Sequence, residues 1–88
     1  SGIRYDFSPV LDVGRQPLWP RFPETFGEDV YLTTVMGVAS VTGLEGTSLR
    51  DNTSVASCMK HFVGYSAPAV GKDRALAYIP EIMLREYY

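Results

Sequence analysis

Apolar and polar positions change period several times along the chain, and each change marks an element. Tyr5, Phe7, Val10, Leu11 and Val13 are good strand formers, and Gly14 ends their run. Pro9 lacks an N–H and suits the start of a short buried strand, so the pattern predicts a strand over Val10 to Val13 with irregular chain before it. Arg15 to Pro23 holds Pro17, Pro20 and Pro23 around Trp19, Arg21 and Phe22, which predicts a stiffened loop. A helix comes next. Thr25 and Glu28 have the spacing of a capping box, and Glu28-Asp29 places negative charge in the first turn. Leu32, Val35, Met36 and Ala39 then recur at helical spacing, with Val38 and Val41 widening the stripe and Gly43 and Gly46 as stops. Asp51 to Ser54 is a polar turn, Val55 to Val63 reads as a second strand, and Gly64 to Asp73 as a second loop. A second helix is expected over Ala75 to Tyr88, with Pro80 in its first turn and Ile79, Met83 and Tyr87 on one face.

The order strand, loop, helix, strand, loop, helix predicts an α/β fold with parallel strands and crossover helices. Two parallel strands alone make a poor core, since such strands need cover on both faces and neighbours on both edges. The pattern is that of a piece of something larger. Composition narrows the class further. With 88 residues, 45% of them apolar and 20% charged, the chain is globular in type, neither disordered nor fibrous. A net charge of −2 argues against non-specific nucleic-acid binding, and no uncharged run is long enough to suggest a membrane span. The single Cys58 cannot form an internal disulfide and supports no zinc site. No targeting signal is visible, and the sequence assigns no compartment.

In parallel α/β folds ligands meet the loops at the C-terminal ends of the strands. Asp12, Arg15 and Arg21 beside Trp19 gather at the first such end, and Lys60, His61, Tyr65, Lys72, Asp73 and Arg74 at the second. Lys60-His61 is the sharpest feature: two titratable neighbours in an apolar strand can both reach a site only at the strand's end. The alternative is a buried imidazole bonded to backbone beside a lysine reaching out to solvent. Arg21 and Trp19 could clamp a polyhydroxyl ligand, or the guanidinium could simply pack on the indole. Glu24, Glu28 and Asp29 fit helix capping better than a carboxylate pair. Asp12 could hold the Arg15–Arg21 loop by ion pairs or touch a ligand. Cys58 reads as a small buried hydrophobe, and Tyr65 and Asp73 as loop-stabilising. A catalytic triad and a phosphate-binding glycine loop both lack support.

Several of these segments together resemble a known family. Phe7-Ser8-Pro9-Val10-Leu11-Asp12-Val13-Gly14-Arg15, then Trp19-Pro20-Arg21, then Glu24-Thr25-Phe26-Gly27-Glu28-Asp29 are similar to a signature of glycoside hydrolase family 3. Val55 to Tyr65, containing Lys60-His61-Phe62, resembles that family's K-H-F strand, and Gly71-Lys72-Asp73-Arg74 and Leu84 to Tyr88 resemble the family's next segments. The resemblance covers nearly the whole chain. It implies that residues 1–88 are a partial N-terminal domain, two βα units of a TIM-barrel-like fold. It also implies a retaining β-glucosidase-type parent acting on a β-linked glucoside or oligosaccharide. Arg21, Lys60 and His61 match positions that bond sugar hydroxyls beside the scissile bond. The nucleophile and acid/base are expected outside this chain, in the remainder of the parent, with no metal or organic cofactor. Gln16, Leu18, Pro20 and Pro23 depart from the family pattern, which motivates the alternative of a non-catalytic carbohydrate-binding or scaffold homologue.

Overall fold

A computed structural model describes residues 2–88; Ser1 lies outside the described residues. Two stretches of extended chain run side by side, joined by parallel bridges between Tyr5 and Ala56 and between Val10 and Lys60. Among the described residues these bridges stay isolated, and the continuous strands expected over Val10 to Val13 and Val55 to Val63 are not formed. The reason lies in register. Ala56 N–H donates to the Arg4 carbonyl (2.9 Å) and Asp6 N–H to that of Ala56 (3.0 Å). Further on, Lys60 N–H donates to the Pro9 carbonyl (3.1 Å) and Leu11 N–H to that of Lys60 (2.6 Å). The first segment therefore spends one more residue than the second between the two bridges. Cys58 N–H reaches the Ser8 carbonyl there (2.8 Å), and Pro9 has no N–H to extend the ladder.

The α1 helix spans Val30–Glu45. Its N-cap is Asp29, whose side chain accepts from Tyr31 N–H at 3.0 Å, four residues beyond the expected Thr25. Thr25 closes a 3-10 turn over Phe22–Glu24 instead: its hydroxyl donates to the Phe22 carbonyl (2.9 Å) and accepts from Gly27 N–H (3.2 Å). Gly27, at φ 99°, holds a backbone conformation that a helix cannot include. The helix runs through Gly43 and stops at Gly46, which has φ 61°. The α2 helix is shorter than expected, spanning Glu81–Tyr87 with Pro80 as its N-cap, so Ala75 to Ile79 are not helical.

The buried face of α1 corrects the expected stripe. Thr33 and Gly37 are buried, whereas Leu32, Val35, Met36 and Val38 are exposed. Close approach decides this, because a Cβ on Gly37 would stand 2.8 Å from Leu11 Cδ2, and only a bare backbone fits there. A helix apolar all round is built to be covered on several sides. The buried apolar core consists of Val10, Val13 and Trp19. The radius of gyration is 14.6 Å, above the ~12 Å of a self-contained domain of this length. Among the described residues no helix is long and apolar enough to cross a membrane.

Candidate functional site

The parallel pairing ends on a side chain. Beyond Lys60, His61 N–H finds Asp12 Oδ2 at 3.1 Å rather than a backbone carbonyl, and the same oxygen lies 2.6 Å from His61 Nδ1. Asp12 is 4% exposed, so this carboxylate is held out of water against one imidazole. Of the two readings open for Asp12, ion pairs to the Arg15–Arg21 loop are not formed among the described residues, and its partner is His61. Arg15 instead lies over the Tyr87 ring, 4.4 Å from its centroid, tying the loop to α2.

Arg21 arrives from the proline-containing loop. Gln16 organises that loop: its side-chain carbonyl accepts from Leu18 N–H (3.2 Å) and its backbone carbonyl from Trp19 N–H (3.0 Å). Gln16 and Leu18, two of the positions that depart from the family pattern, thus shape the turn that leads to Arg21. Its Nη1 lies 3.3 Å from His61 Nε2. Its Nε and Nη2 donate to the two oxygens of Glu24 at 2.9 and 2.8 Å, a two-pronged fork. Hydrogen bonding by Arg21 holds the Glu24 carboxyl below the ordinary carboxylate range, and the same fork pushes the guanidinium higher still. Glu24 therefore serves Arg21 and caps no helix, while Asp29 takes the expected capping role.

Trp19 is 1% exposed and offers no face to a ligand. Its indole N–H donates to Asp73 Oδ1 (3.1 Å), which also accepts from the Tyr65 hydroxyl (2.6 Å). These bonds, Tyr65's first, draw the Asp73 carboxyl below its usual value and give both residues the loop-fixing role expected of them. The Tyr65 ring stacks tilted on His61 at 4.5 Å between centroids, and Arg21 sits 5.8 Å above that ring. Tyr65, not Trp19, is the aromatic partner of Arg21. Sequence reasoning places Tyr65 in the right loop but has no periodicity to reveal the stacking.

Lys60 is half-buried, its ammonium 5.9 Å from the Phe7 ring centroid, and its charge adds to the lowering of Glu24. A cavity of about 290 Å³ runs beside it, lined by Leu11, Met59, Lys60, His61, Phe62 and Val63. Arg21 and His61 are thus brought into direct contact, with Lys60 next to His61 in the chain.

The site is a donor-rich cluster at the C-terminal edge of parallel chain in an α/β protein, braced by carboxylates rather than presenting them. Comparison with known proteins gives the class a family. The glycosyl hydrolase family 3 N terminal domain matches residues 1–88. The lysosomal beta glucosidase of Dictyostelium discoideum is 50% identical over 99% of this chain, which covers 11% of that protein. Among solved structures, the beta-glucosidase from Listeria innocua superposes with a TM-score of 0.91 at 35% identity, covering 97% of this chain and 12% of that one. A mutant beta-glucosidase from Listeria innocua in complex with laminaribiose superposes with a TM-score of 0.88 at 35% identity, covering 93% of this chain and 12% of that one. The chain belongs to glycosyl hydrolase family 3, as part of its TIM-barrel-like N-terminal domain. It spans about a tenth of the length of these relatives.

Proposed function

We propose that residues 1–88 form two βα units of a barrel and supply part of the glycosyl-binding wall of a retaining β-glucosidase. The observation that carries this reading is the 3.3 Å contact between Arg21 Nη1 and His61 Nε2 at the end of the parallel pairing. Arg21 touches His61, and Lys60 shares with His61 the lining of one small cavity, so several donors and one imidazole lie close together. Such a set fixes the orientation of a sugar ring and strengthens as the ring distorts towards an oxocarbenium-like transition state. Laminaribiose bound to the Listeria relative supports a β-linked glucoside as the ligand class.

Retaining hydrolysis needs two carboxyl groups about 5–5.5 Å apart, one as nucleophile and one as acid/base. The carboxylates nearest the site are already engaged, Asp12 with His61 and Glu24 with Arg21. We assign both bond-breaking groups to the remainder of the parent chain. The test uses the full-length parent and 4-nitrophenyl β-glucoside. Lys60→Ala is expected to lower kcat/KM by about 10- to 100-fold, as for loss of a hydrogen bond to a charged group, and His61→Ala by a similar factor, because it also leaves the buried Asp12 carboxylate without its partner. The isolated 88-residue chain is expected to show no turnover. Wild-type kinetics in both variants, or turnover by the isolated chain that survives both substitutions, would overturn the reading.

A further inference from the structure

We propose that Asp12 is a positioning residue that makes His61 Nε2 a hydrogen-bond acceptor, so that one substrate hydroxyl takes the place of the direct His61–Arg21 contact, donating to the first and accepting from the second. The inference rests on the reading of His61 and Arg21 as sugar contacts, and it assigns the direction of each hydrogen bond.

Two constraints converge on that direction. Backbone N–H can only donate, so the Asp12 oxygen 3.1 Å from His61 N is an acceptor. That same Oδ2 faces Nδ1 at 2.6 Å, so Nδ1 carries a hydrogen and donates it. At the other side of the ring, Arg21 has no acceptor to offer, so Nε2 presents its lone pair to Nη1 at 3.3 Å. Tautomer and ring plane are therefore fixed by a group 49 residues away in sequence, and the Tyr65 ring stacked at 4.5 Å blocks free rotation. A hydroxyl is both donor and acceptor, and it matches a lone pair beside an N–H. Fluorine at the same position can accept from Arg21 but has nothing to give Nε2.

Substitutions separate this role from a merely structural one. In Asp12→Asn the His61 backbone N–H keeps the amide oxygen towards Nδ1, so the tautomer is retained. Asp12→Ala releases the ring. His61→Asn puts an amide N–H where Nδ1–H stood, which keeps Asp12 Oδ2 paired while removing Nε2. The experiment measures kcat/KM of the full-length parent on 4-nitrophenyl β-glucoside and its 3-, 4- and 6-deoxyfluoro analogues.

Asp12→Ala is expected to lose about 10- to 100-fold on the parent glucoside, a range typical of groups that orient a ligating histidine. Asp12→Asn should retain most activity, and Asp12→Ala should add almost nothing in the His61→Asn background. One fluorine position should carry a penalty in wild type that disappears in both Asp12→Ala and His61→Asn. Asp12→Ser, too short to reach Nδ1, replaces the alanine variant if that protein does not fold. A full Asp12→Ala loss repeated in the His61→Asn background overturns the proposal, as does a fluorine penalty equal in wild type and His61→Asn at every position. Wild-type kinetics in His61→Asn would instead overturn the underlying assignment of His61 as a sugar contact.

Discussion

Arg21 reaches its place because Glu24 holds it there, and Glu24→Gln measures by how much. The side chains are 26% and 44% exposed, so the pair is partly solvated and water screens much of its attraction. Exposed ion pairs contribute 0–1 kcal/mol, and the two-pronged geometry moves this one to about 1 kcal/mol. Glutamine keeps one acceptor but loses the charge and sets an amide N–H against the guanidinium. The population of Arg21 poised beside His61 should then fall by about fivefold, the factor equivalent to ~1 kcal/mol. In steady-state kinetics of the full-length parent on an aryl β-glucoside, the change should appear chiefly in KM. The pH dependence adds a second arm. Because Arg21 holds the Glu24 carboxyl below its ordinary range, its contribution is complete at neutral and mildly acidic pH and is lost only as pH falls through that lowered value. The ratio of wild type to Glu24→Gln should stay constant down to the ordinary glutamate pKa of about 4.3 and close only below it. A KM unchanged by the substitution refutes the bracing role, and a ratio already closing above that pH refutes the electrostatic argument.

Two further predictions concern packing. Gly37→Val forces a branched side chain against Leu11, whose Cδ2 stands 2.8 Å from the new Cβ. It should destabilise by about 1–3 kcal/mol and hasten thermal inactivation of the parent, whereas overpacking in Gly37→Ala is partly offset by its helix propensity. Trp19→Phe removes the indole N–H from Asp73 and should lower stability only modestly through that bond, since Tyr65 still donates there. In a urea titration of activity, much of that loss should vanish in an Asp73→Ala background; fully additive losses would show that the indole N–H bond is not what matters.

Much of the element order is legible because local chemistry decides it. Gly46 ends α1 through its own positive φ, and the Lys60-His61 pair stands out as polar residues in an apolar run. What misleads is tertiary. The stripe of Leu32, Val35, Met36 and Ala39 keeps helical period faithfully, yet α1 meets the Leu11 segment through Thr33 and Gly37, small residues that score poorly as core. The capping box at Thr25 has the right spacing, but Gly27 at φ 99° interrupts it and Asp29 takes over. At the site, motifs single out Arg21, Lys60 and His61, whereas Glu24 reads as a helix cap and Asp12 as a loop or ligand contact, and both turn out to brace the cluster. Glu24 lies three residues from Arg21, close enough in sequence to be read as its partner. Asp12 and His61 are 49 residues apart, and no pattern within one segment reports such a pairing.

The uneven pairing of the two extended segments has a consequence for how errors in assembly would show themselves. If the pairing that starts at Tyr5 and Ala56 simply continued, Pro9 rather than Val10 would face Lys60, and Asp12 would slide past His61 by about 3.3 Å, one residue of strand. A slip of one residue also turns each side chain to the opposite face, so the buried Val10 and Val13 would lose their places. Such a misaligned form would lose packing and chemistry together. The Asp12–His61 bond is therefore an alignment key as well as part of a site, satisfied in one phase of the two chains and broken in the next. Fidelity here means counting residues correctly, and a carboxylate and an imidazole do the counting.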